Sequence, residues 1–157
     1  MIESVRVTNR QDEQIRQLFK KHVPEVASGL IQVMSTAYEP GYLMVAVHSR
    51  ARKTDPVRVF VADEGLRVKL VAAALQRSGK VHVVLWNQSP KTFILNALSP
   101  LGTRLSELQI ELDFEKRDAW LELERNTFFH ISDKERTRVR LVSQLVGWNI
   151  RLVPIGS

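Results

Sequence analysis

Arg67-Val68-Lys69-Leu70-Val71 returns 71 positions later as Arg138-Val139-Arg140-Leu141-Val142. Each copy opens an apolar helical run, and an extended run follows, Val81 to Trp86 in the first case and Trp148 to Val153 in the second. Two copies of one supersecondary unit are the simplest reading, and they restrict the chain to a duplicated small domain. What precedes the copies differs. Ala62-Asp63-Glu64-Gly65 leads into the first and Asp133-Lys134-Glu135-Arg136 into the second.

A length of 157 residues accommodates two small domains. With 44% apolar and 25% charged residues, the chain can bury a core and does not read as disordered. No run approaches the ~18 to 20 apolar residues of a membrane span, and Met1-Ile2-Glu3-Ser4 does not open a signal pattern. The absence of cysteine excludes disulfides and thiolate metal sites and suits a reducing, cytoplasmic setting. A formal charge of +6 and a pI near 10.0 point to an anionic partner, with nucleic acid the first choice.

Apolar residues at Ile15, Leu18, Phe19, Val23 and Val26 predict a helix over Gln11 to Val26, interrupted near Pro24 and stopped by Gly29. Leu30 to Tyr38 and Tyr42 to His48 read as paired strands around Pro40-Gly41. Ser49 to Pro56 is a polar basic loop, and Val57 to Val61 a short helix or extended piece. Leu66 to Gln76 reads as a helix burying Leu66, Leu70, Val71, Ala74 and Leu75, and Val81 to Trp86 as a buried strand.

Ser89-Pro90 then marks a helix start, with Phe93, Ile94, Ala97 and Leu98 on its apolar face and Pro100 and Gly102 at its end. Leu108, Ile110, Leu112 and Phe114 alternate with polar residues, as in a strand with one buried face. Glu115 to Asp118 turns the chain into a strand over Ala119 to Leu123. Phe128-Phe129 leads to a break, followed by a helix from about Lys134 to Val146 with Gly147 as its C-cap, and a strand from Trp148. Ser132-x-x-Glu135 has the form of a capping box. Each half reads helix, strand, strand, helical segment, loop, helix, strand. That order predicts an α+β fold, a three-stranded sheet with helices on one face in each half, with the halves meeting near residues 88 and 89 as a docked pair.

Val23-Pro24-Glu25-Val26, Glu39-Pro40-Gly41, Asp55-Pro56-Val57, Asn96-Ala97-Leu98-Ser99-Pro100 and Gln144-Leu145-Val146-Gly147-Trp148 carry a family likeness. From about Leu18 to Leu152 the chain resembles the tandem type II KH domains of the bacterial NusA family. The resemblance implies two KH-like domains, residues 1–88 and 89–157. It also implies single-stranded RNA binding and action with RNA polymerase or other transcription factors in elongation, termination or antitermination. In such domains a Gly-x-x-Gly loop lets phosphates approach the backbone at the start of the following helix. Here Ala62 replaces the first glycine of the first loop, and Asp133 and Arg136 stand where the second loop would have both. Full-length factors of the family also carry a polymerase-binding domain and an OB-type domain. This sequence shows neither, and reads as an excised piece or a short stand-alone relative.

The candidate RNA-binding residues are Gly65, the remaining loop glycine, with Arg67, Lys69, Lys134, Arg136, Arg138 and Arg140 at the helix starts. The competing reading is a solvated helix face, and for Lys134 and Arg136 helix capping. Arg50, Arg52 and Lys53 form a basic loop run, either solvated or a further nucleic-acid contact. Trp86 and Trp148, at the ends of equivalent strands, read as packing residues, and Trp120 as a more exposed one. His22, His48, His82 and His130 lie on different elements without metal-ligand spacing. No cofactor, metal, membrane or small-molecule substrate is expected, and no enzyme. Altered loops leave a second possibility, a KH scaffold that docks proteins and has lost RNA.

Overall fold

The computed structural model describes residues 13–39, 42–60, 66–74, 80–99 and 109–155. The chain divides into two compact units, Met1–Trp86 and Asn87–Ser157. In the first, helix α1 spans residues 13–22 and α2 spans Pro24–Ala27. Ile15, Phe19 and Val23 recur one turn apart and are all buried. Pro24 takes the first position of α2, where its missing N–H has no helical partner to lose. Gly29 follows in the left-handed region, at a φ of 85°.

Strands β1 (Ile31–Glu39) and β2 (Tyr42–Ser49) pair antiparallel from Glu39↔Tyr42 to Ile31↔Ser49, with one irregularity between Val33 and Ser35. Helices α3 (Pro56–Phe60) and α4 (Leu66–Ala74) cross over to β3 (Lys80–Leu85), which pairs parallel to β2. The sheet order is β1-β2-β3. Central β2 is buried at every position from Tyr42 to Val47, so both of its faces are covered. Phe19, Ile31, Val45, Val47 and Val71 form the heart of this core.

The second unit repeats the plan. It comprises α5 (Pro90–Leu98), β4 (Gln109–Asp113), β5 (Asp118–Leu123), α6 (Arg125–Phe129), α7 (Asp133–Val146) and β6 (Asn149–Pro154). Antiparallel β4 and parallel β6 flank β5, in the order β4-β5-β6. The predicted face of α5, Phe93, Ile94, Ala97 and Leu98, is buried. Ala119, Leu121 and Leu123 alternate along β5 as its inward face. The molecule is thus α+β, with two three-stranded sheets carrying helices.

Several sequence expectations need correction. Leu70 is 42% exposed, because its neighbour Val71 takes the inward position on α4. Phe114 lies beyond β4 and is 66% exposed, its ring edge-on to Trp148 at 5.2 Å. The alternation therefore ends at Leu112. Strand β3 is an edge strand, fully buried at Val84, while Leu85 is exposed. Trp86 follows β3 whereas Trp148 precedes β6, so the two tryptophans are not equivalent; Trp148 alone is buried. Ser89 occupies the cap position of α5, but its side chain makes no cap bond there. Leu75, Gln76, Pro100, Gly102 and Leu108 lie outside the described residues. Among the described residues no helix is long and apolar enough to cross a membrane, and no cluster of His, Asp or Glu could hold a metal ion.

Candidate nucleic-acid interface

Helix α7 begins with a closed capping box. The Ser132 hydroxyl accepts from the Glu135 amide at 3.1 Å, and the Glu135 carboxylate accepts from the Ser132 amide at 3.2 Å. A donor that an open loop would present to a ligand is therefore already engaged. At the other end Gly147 adopts φ 75°, the left-handed C-cap that a side chain would strain. The hydroxyl of Ser143 donates to the carbonyl oxygen of Trp148, tying the last turn to the start of β6. Ser132→Ala is expected to cost about 1 kcal/mol of stability, read from the urea midpoint of unfolding. An unchanged midpoint would show that the box contributes nothing.

Beside this helix runs a groove of about 350 Å³. Arg136, Val139, Arg140 and Ser143 of α7 line it, at spacings of three and four that place them on one helix face. Edge strand β6 supplies the opposite wall through Asn149, Ile150 and Leu152, and Phe128 closes an end. Val139 is buried and gives the groove an apolar floor, while the exposed Arg136 and Arg140 put two positive charges along it. Both guanidinium groups are exposed along the groove, where each can meet an anion. The Arg136 guanidinium lies 5.8 Å over the ring of Phe128.

The other candidates are distributed differently. Lys134 is exposed in the first turn of α7 and does not line the groove. Arg138 is half-buried, already engaged within the protein, and not among the residues that line the groove. In the first unit Lys69 is exposed on α4, and Arg67 is the second residue of that helix. Gly65 and the rest of the first loop, Ala62 to Glu64, lie outside the described residues. Arg50, Arg52 and Lys53 are exposed, and the last two border a separate cavity of about 460 Å³ closed by His48, Asp55 and Leu85. His82 stacks on Tyr42 with ring centres 4.7 Å apart, and His130 Nδ1 bonds the Asn126 carbonyl at 2.7 Å.

Residues 9–86, nearly the whole first unit, match the NusA-like first KH domain. Over that stretch the chain is similar to the first KH domain of NusA. The chain is also 34% identical over 148 residues to the transcription termination/antitermination protein NusA of Thermus thermophilus, covering 94% of this chain and 37% of that protein. The NusA of Rickettsia conorii is 35% identical over 148 residues, covering 92% and 29%. These matches extend across both units, yet the chain spans only about a third of its NusA relatives' length. Among solved structures, the crystal structure of APE1850 gives a TM-score of 0.60 at 14% identity, covering 92% of this chain and 97% of that one. At that identity the likeness establishes the fold alone.

Sequence reasoning missed Phe128, Ser143, Asn149, Ile150 and Leu152 as groove residues. A signal for Ser143 existed, since Arg136, Val139, Arg140 and Ser143 follow helical spacing. None existed for β6, whose approach to α7 is set by the parallel pairing of β5 and β6.

Proposed function

We propose that this chain is a tandem KH segment of the NusA type, with KH-like domains at 1–88 and 89–157. In this reading it binds single-stranded RNA and works in the cytoplasm with RNA polymerase or its factors in elongation, termination or antitermination. It is a binding protein and not an enzyme. The observation that carries the reading is the groove between α7 and β6, with an apolar floor and Arg136 and Arg140 along it. An unstacked strand offers phosphates to such guanidinium groups and bases to such a floor. The closed capping box supports a weakened loop grip, with side-chain charge carrying the contact where a glycine loop would use amides.

Titration of a labelled, unstructured RNA across a range of salt tests this. Binding is expected to weaken with salt at about 0.7 log units per log unit of salt for each phosphate contact, and Arg140→Ala to remove about one contact. Arg138→Ala, off the groove, is expected to leave the slope unchanged. Absence of binding even at low salt would overturn the RNA reading. The capping box gives the alternative its one specific support: a KH scaffold that docks polymerase without RNA, for which capture of polymerase by the RNA-silent chain is the test.

A further inference from the structure

We propose that Phe128 and Phe129, flanked by Arg136 and Arg125, form a stacking subsite for an unpaired nucleobase at the end of the α7–β6 groove. The proposal deepens the RNA reading and rests on it. Helix α6 is short, and it ends in two adjacent phenylalanines that the core does not absorb. Phe129 is 65% exposed, far from the burial normal for so large an apolar side chain. Phe128 is half-buried and stands edge-on to it, ring centres 5.2 Å apart at 85°. The Arg125 guanidinium lies 5.8 Å over the Phe129 ring, as Arg136 does over Phe128.

An isolated exposed phenylalanine would mean little. Two observations make this pair different. It is continuous with a cavity, because Phe128 and Arg136 belong to both the cluster and the groove wall. It is also framed by guanidinium groups, which stack on bases and hold phosphates, the pairing of π surface and cation by which single strands are bound. Of the nearby carboxylates, Glu135 is held in the capping box, and Glu124 and Asp133 lie outside the groove lining. An acidic protein segment would use the charges but gain little from flat aromatic surface. A nucleotide uses both.

Stacking and charge separate by their salt dependence and by the need for a base. Binding of the full chain to a labelled oligoadenylate is compared with binding to an abasic strand of the same length and charge. The wild type is expected to prefer oligoadenylate by about tenfold, as one or two stacked bases provide. Phe129→Ala is expected to remove most of that preference, the remainder resting on Phe128 and the groove floor, while leaving abasic binding and the salt slope unchanged, and Phe129→Trp to restore it. Arg125→Ala is expected to lower the slope by about 0.7. Equal wild-type affinity for the two strands, or a Phe129→Ala protein that keeps the preference, would overturn the subsite while the RNA reading stands. If the wild type binds neither strand at low salt, the RNA reading falls and the subsite with it.

Discussion

Phe19→Ala is expected to destabilise the first unit by about 3–5 kcal/mol, the range for truncating a buried phenylalanine. Phe19 is fully buried, one turn from Ile15 and one from Val23, and packs into the cluster of Ile31, Val45, Val47 and Val71. Those partners come from α1, both paired strands β1 and β2, and α4, so no single neighbour can move to fill the space. Domains of this size commonly have total stabilities of only about 5–15 kcal/mol, and the loss would consume a large fraction of that. Urea unfolding is the measurement. Trp86 is the tryptophan of the first unit, and a variant with Trp120 and Trp148 changed to phenylalanine isolates its signal. A midpoint about 2 M lower is expected for Phe19→Ala if the slope is near 2 kcal/mol per molar urea. Leu70→Ala, at an exposed position of the same unit, should move it far less. A small effect at Phe19 would refute the packing of α1 across the sheet.

Where local chemistry decides a feature, the residues show it in advance. The capping box at Ser132 and Glu135 needs only side chains three apart, and the left-handed turn at Gly147 needs only the absence of a Cβ. The buried face of α5 follows from its helical spacing, and the alternation along β5 from its pleat. Where a neighbour distant in sequence decides, local pattern misleads. Leu70 and Phe114 have the right spacing for burial, but α4 turns Val71 inward and β4 ends before Phe114. The same limit explains the site. Arginines at the start of α7 were legible as candidates, yet what separates Arg136 and Arg140 from Arg138 is where β6 and Phe128 stand, and that depends on parallel pairing with β5. A repeat of 71 residues announces two units but says nothing about which of them holds a groove.

Reversing the charge at both groove arginines, Arg136→Glu with Arg140→Glu, is expected to weaken RNA binding by about 100-fold or more near 0.1 M salt. The size follows from counterion release: each lost phosphate contact on a single strand is worth about 0.7 log units there, and two carboxylates opposing the same phosphates add a penalty of similar size. The fold should tolerate the change. Both side chains are exposed, glutamate is a good helix former, and an acidic residue at position 136, near the N-terminus of α7, suits the helix dipole. What is given up within the protein is the contact of Arg136 with Phe128, worth about 0.5–1 kcal/mol at an exposed site. The matching control is Lys20→Glu with Lys21→Glu, the same change in net charge on exposed positions of α1 that do not line the groove. If attraction is a property of overall charge, both double variants weaken binding alike. If the groove between α7 and β6 carries the strand, the α1 variant keeps most of its affinity and its salt slope, and the groove variant loses both. Near-wild-type binding by the groove variant would remove the second unit from the RNA path and shift attention to the basic loop of the first.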